Sequence, residues 1–188
     1  MTAAWVVLAA LLVAAALWLT WTANRLDRMH HRIDVARGRL DAQLLRRSGV
    51  VLELAATDVL DPASRIVLLE AAHRARGADE ADLEQAESDL SQALRAVVGE
   101  LDLASLRRDP EVASLLEELA QACARVELAR RFHNDAVVTA RGLRSRRRVR
   151  WLRLAGHAAA LRAVDLDDVP PTGLDQGWNV VGGGPART

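Results

Sequence analysis

The densest gathering of reactive side chains in the chain is Arg130-Arg131-Phe132-His133-Asn134-Asp135, inside the run Ala129 to Val137. A guanidinium, an imidazole and a carboxylate this close are the ingredients of acid–base chemistry. One reading is therefore a hydrolase or metal-dependent enzyme using Arg130, His133 and Asp135. The structural reading competes with it and is preferred. On a helix Arg130, Asn134 and Val137 share one face, and Phe132, Asp135 and Ala136 share another. Arg131 and Asp135 are an i, i+4 pair worth about 0.2–0.5 kcal/mol when exposed. Arg130 and Asn134 flank an apolar seam, from which they can meet Asp41, Gln43 or Arg47 of an earlier helix. Such a polar layer would fix helix register, as interior polar groups do in coiled coils. His133 falls on the seam among alanines, where a buried histidine bonded across the bundle is expected. No residue of the layer is assigned a catalytic role.

The other chemistry-bearing residues point to no site. Asp27, His30, His31 and Asp34 have the helical spacing of metal ligands, but Arg28 and Arg32 oppose a cation and no ligands on a second helix are evident. A solvated face is expected there. Cys123 lacks a base partner and reads as a small buried hydrophobe. No serine has a Gly-x-Ser-x-Gly setting, and the triple glycine 182–184 does not lie between a strand and a helix. No cofactor and no metal is expected.

One patch has functional pull. Arg144, Arg146, Arg147, Arg148, Arg150 and Arg153 crowd around Trp151, with Arg141 just before them and Leu154, Ala155, Ala158 and Leu161 tracing a weak apolar face. A charge run is usually a solvated face, and cations also suit a helix C-terminus. Arginines beside a Trp on an aliphatic face would also favour anionic lipids, by about 1 kcal/mol per charge near the surface. The patch is thus a candidate for contact with lipids or a partner protein.

The elements that must position these groups are helical. Ala3 to Thr22 carries no charge and has Trp5, Trp18 and Trp21 near its ends, the pattern of an uncleaved transmembrane anchor. No basic stretch precedes it and no clear Ala-x-Ala site ends it, which argues against a signal peptide. Arg25, Arg28, Arg32, Arg37 and Arg39 follow it. The positive-inside rule then predicts a single-pass protein of the cell membrane, amino terminus out and domain in the cytoplasm.

Beyond the anchor, Leu26, Met29, Ile33, Ala36, Leu40, Leu44, Val51 and Leu54 mark one apolar stripe. Asp61-Pro62 is a cap followed by proline, which starts a separate short helix over 63–76 or kinks a longer one. A second stripe, Leu83, Ala86, Leu90, Ala93, Leu94, Val97 and Leu101, predicts a helix from Glu80 to Leu106. Asp109-Pro110 starts a third, whose seam is Val112, Leu115, Leu119, Ala122, Val126, Ala129, His133, Ala136 and Ala140.

Composition bounds the rest. Hydrophobic residues are 51% of the 188 and aromatics 3%, so the core is aliphatic. All 25 basic residues are Arg, and the net charge is zero, which argues against a globally basic nucleic-acid binder. The single Cys excludes an internal disulfide.

Four motifs in order resemble the LemA family of bacterial membrane-anchored helical proteins. They are Asp41-Ala42-Gln43-Leu44 before Arg46-Arg47; Asp89-Leu90-Ser91-Gln92-Ala93-Leu94; Leu116-Glu117-Glu118-Leu119 leading to Arg125; and the run Ala129 to Val137. The likeness covers about Leu26 to Ser145. It departs from the family at Gly49, Leu52 and Glu53, at Leu101, at His133 where the family has a tyrosine, and in the arginine-rich end. The resemblance implies a membrane-tethered antiparallel bundle with no catalytic residues or cofactor, often partnering membrane proteins.

The expected architecture is all-α: a transmembrane anchor over 1–24, an antiparallel bundle of three to four long helices over 25–147, a basic amphipathic segment over 148–166 and a disordered tail over 167–188. The expected function is a non-catalytic scaffold or adaptor facing anionic lipids or membrane-protein partners.

Overall fold

A computed structural model of the chain describes residues 2–144 and 162–174. The described residues hold five helices: α1 Thr2–Ala56, α2 Pro62–Gly77, α3 Leu83–Glu100, α4 Leu103–Leu106 and α5 Pro110–Arg144. The fold is all-α. Among the described residues no helix is long and apolar enough to cross a membrane. Within the charge-free run Ala3 to Thr22, Ala3, Ala4, Ala15, Ala16, Leu19 and Thr22 lie outside the described side chains.

Caps and prolines set the breaks. Helix α1 stops where Thr57 turns back, its N–H and Oγ1 both donating to the Leu54 carbonyl at 3.1 and 2.7 Å. Asp61 then caps α2 by accepting from the N–H groups of Ala63 and Ser64, with Pro62 at the first helical position. The Asp61-Pro62 signal therefore starts a separate helix. The helix expected from Glu80 to Leu106 is shorter. Leu101 adopts extended backbone, and Asp102 caps α4 through Ala104 and Ser105. Asp109 accepts from the N–H of Glu111 at 2.9 Å as α5 begins.

The chain divides into two compact units, Gly38–Phe132 with Val164–Thr188, and Met1–Arg37 with His133–Ala163. The larger unit holds the main core. Val51, Leu54, Leu68, Leu90, Leu94, Leu116 and Leu119 are fully or almost fully buried there, with Ala72 and Ala122. Each such Leu or Val contributes about 1.5–3 kcal/mol by leaving water. A second cluster joins Leu40 and Leu44 of α1, Val126 of α5, and Val164 and Leu166, with Leu83 and Ala129 at its margin. The smaller unit buries Ile33 with Val137 and Ala140, and Ala163 packs against them.

Within the tail expected to be disordered over 167–188, Asp168 and Leu174 are buried. Residues 162–171 have no helix or strand, yet Val164, Leu166, Asp168 and Leu174 are buried. Asp, Pro and Gly exclude a helix here, but the apolar positions two apart suffice to anchor an extended segment. The expected basic amphipathic segment lies outside the described residues over 148–161, and its last residues, 162–166, have no helix or strand.

Candidate functional site

The polar chemistry of the larger unit is organised by arginines that reach out of helices. Arg47, in the second half of α1, is 1% exposed and Glu87 of α3 is 2% exposed. Arg47 Nη2 donates to Glu87 Oε2 at 2.5 Å and to the Glu87 carbonyl at 3.1 Å, while Nη1 donates to Ser91 Oγ at 3.0 Å. Ser91 donates in turn to the Glu87 carbonyl. Burial pushes the Glu87 carboxyl above its ordinary value, and the neighbouring Arg47 charge only partly opposes this. This cluster is closed inside the bundle.

A second arrangement lies along the extended segment. Arg130 of α5 grips Asp168 with two hydrogen bonds, Nε to Oδ2 at 2.6 Å and Nη2 to Oδ1 at 2.9 Å. Arg95 of α3 grips Asp167 the same way, Nη2 to Oδ2 at 2.5 Å and Nη1 to Oδ1 at 3.0 Å, and also donates to the Val169 carbonyl at 2.9 Å. Ser88 Oγ accepts from the Asp167 N–H at 3.0 Å. Arg107 donates to the carbonyls of Gly173 and Leu174. The planar fork of arginine suits such two-point contacts with carboxylates. The Arg95 hydrogen bonds hold the Asp167 carboxyl below its ordinary value, and the bond to Asp168 raises Arg130. Gly173 closes the segment with φ +88, where an added Cβ would also press on Leu103 at 3.1 Å.

The residues expected to form one polar layer are distributed among separate contacts. Arg47 is committed to Glu87 and Ser91, and Arg130 to Asp168. Asp41 is exposed, whereas Gln43 is half-buried with its Oε1 buried and unbonded. Arg131 is exposed and pairs with Glu127 at 3.4 Å, not with the expected Asp135. Phe132 is 62% exposed and Asp135 is exposed, with Asn134 half-buried. His133 is buried, as its place on the seam predicts. Its Nε2 lies 3.3 Å from the Arg162 carbonyl and donates to it in the matching tautomer, while Nδ1 is buried without a partner. The reason for the dispersal is register. Arg47 and Arg130 meet acids from α3 and from the extended segment, elements whose carboxylates the pattern of α1 and α5 does not reveal.

Of the arginine patch, Arg146, Arg147, Arg148, Arg150, Trp151 and Arg153 lie outside the described residues, as does the Arg144 side chain. Asp27 and His30 lie outside the described side chains, and His31 and Asp34 are exposed. Among the described residues no three His, Cys, Asp or Glu side chains could hold a metal ion. Cys123 is buried, and burial raises its thiol above the ordinary value, which disfavours the reactive thiolate.

Sequence reasoning missed Glu87, Arg95, Asp167 and Asp168. The alternation of Val164 and Leu166 with Asp165 and Asp167 was an available signal, because period two marks an extended segment with one buried face. Glu87 and Ser91, one helical turn apart beside the Leu83–Leu90–Leu94 stripe, were another.

No family model, no curated protein and no solved structure matches the chain.

Proposed function

We propose that this chain is a membrane-anchored helical scaffold or adaptor of the LemA type, without catalysis, anchored by its amino-terminal helix with the larger unit in the cytoplasm. The observation that carries the reading is the apolar surface of α1. Trp5, Val6, Leu12, Leu17, Trp18 and Trp21 stand 43–68% exposed within a stretch that has no charge. Water around so much apolar side chain is costly, and a lipid bilayer relieves that cost. The five arginines after the stretch, Arg25, Arg28, Arg32, Arg37 and Arg39, favour the orientation. The LemA likeness rests on the four sequence motifs alone. The Arg144 to Arg153 patch would add contact with anionic lipids or a membrane-protein partner.

The enzymatic alternative needs Arg130, His133 and Asp135 to open together on a cleft. Arg130 is instead engaged by Asp168, and His133 is buried. That commitment favours a structural use of the run.

The test is extraction of the full chain from expressing cells. Retention in the membrane pellet through an alkaline carbonate wash, lost on removing residues 2–22, is the expected result. Release of the full chain into the wash overturns the anchor. Co-sedimentation with anionic but not neutral vesicles, weakened when Arg146, Arg147 and Arg148 are neutralised, tests the lipid contact separately.

A further inference from the structure

The extended segment is held in the manner of a bound peptide. Two aliphatic side chains at i and i+2, Val164 and Leu166, enter an apolar floor made by Leu40, Leu44 and Val126. The next two residues, Asp167 and Asp168, are each read by a two-point arginine contact from a different helix. The main chain is read as well, at the Asp167 N–H by Ser88 and at the Val169 carbonyl by Arg95. Alternate side chains in pockets with fixed main-chain contacts are how proteins recognise extended peptides.

We propose that the groove between α1, α3 and α5 is a recognition site for an extended acidic peptide, aliphatic-x-aliphatic-Asp-Asp, contributed by a partner protein. The chain's own Val164 to Val169 is the displaceable resident of that groove. Charge complementarity selects the occupant. Arg95 and Arg130 present their guanidinium groups where two adjacent carboxylates must fall, and a neutral or basic peptide would leave both cations partly buried and unpaired. One of the two ion pairs that hold the resident is open to competition. Both side chains of the Arg95–Asp167 pair are about three-tenths exposed, at 29% and 30%. Water and salt therefore compete for that pair. A displaced segment stays covalently attached to the chain while a competing peptide sits in its place. The proposal does not depend on the membrane anchor.

The experiment places a specific protease site within residues 150–158 of the full chain, in detergent, and cuts it. A labelled synthetic peptide spanning 162–174 is then titrated in and followed by fluorescence anisotropy. The peptide is expected to displace the cut carboxyl-terminal fragment and bind saturably. A peptide with Asn at both Asp167 and Asp168 is expected to bind at least tenfold more weakly, as is the original peptide to the Arg130→Ala protein. The peptide change leaves the protein untouched, so misfolding cannot produce that loss. Failure of the labelled peptide to exchange with the cut fragment overturns the proposal, and so does equal binding of the Asn peptide.

Discussion

Arg47 of α1 and Glu87 of α3 form a buried ion pair, 2.5 Å apart, with both side chains at most 2% exposed. Attraction between them must offset the loss of hydration of two charges, and the Ser91 hydroxyl and the Glu87 carbonyl supply the extra hydrogen bonds that make this feasible. Removing one partner strands the other. Arg47→Leu or Glu87→Leu alone is expected to cost about 3–5 kcal/mol, whereas Arg47→Leu with Glu87→Leu recovers most of that loss. Denaturant melts of the four proteins measure this. A loss in the double variant equal to the sum of the two single losses would show that the pair is not coupled.

The same pair sets a pH dependence. Burial raises the Glu87 carboxyl above its ordinary 4.5, so the folded chain holds that proton more tightly than the unfolded chain. Its contribution is therefore present below pH 4.5 and declines as pH rises toward the raised folded value. Glu87→Gln cannot titrate and is expected to flatten that decline. Melting temperatures of the two proteins, compared in steps upward from pH 4.5, check the sign. A gap between them that stays constant with pH would refute it.

The aromatic of the Ala129 to Val137 run gives a contrast between surface and core. Phe132 is 62% exposed, while Leu119, on the same helix, has no exposed surface. Phe132→Ala is expected to change stability by no more than about 0.5 kcal/mol. Leu119→Ala leaves a cavity in the main core and is expected to cost about 2–5 kcal/mol. Urea unfolding of both variants decides it. A large loss from Phe132→Ala would mean that its ring is covered in solution.

Helix identity was legible from apolar spacing because each stripe is read within one element. Ile33, Leu40, Leu44, Val51 and Leu54 on α1, and Leu119, Ala122, Val126 and His133 on α5, are buried where the three-and-four repeat places them. The starts of α2 and α5 were legible too, since Asp-Pro combines a cap with a fixed backbone angle. Pairing between elements was not. Arg47 and Arg130 each sit on a face that the repeat identifies, but periodicity within α1 or α5 carries no information about which acid will oppose them. The extended segment was hidden for a different reason. Its Asp, Pro and Gly content marks the absence of a helix, and absence of a helix was read as absence of order. Val164 and Leu166, spaced by two, are what separate a packed extended segment from a solvated one.

That segment carries the last prediction. Asp167 is held below its ordinary 3.8 chiefly by the hydrogen bonds from Arg95. A depressed carboxylate contributes stability that is present above pH 3.8 and is lost as pH falls through the lower folded value. The effect opposes that of Glu87 and lies in a lower pH window, so the two separate. Asp167→Asn is expected to lower the melting temperature at pH 6, and the difference from the unaltered chain should close as pH drops below 3.8. Raising salt at pH 6 should also shrink the difference, because the pair is about three-tenths exposed. The Arg130–Asp168 contact, with side chains 23% and 9% exposed, is less screened. Asp168→Asn should therefore keep more of its effect in salt. Thermal melts at two salt concentrations rank the pairs, and the reverse order would contradict the burial difference between them.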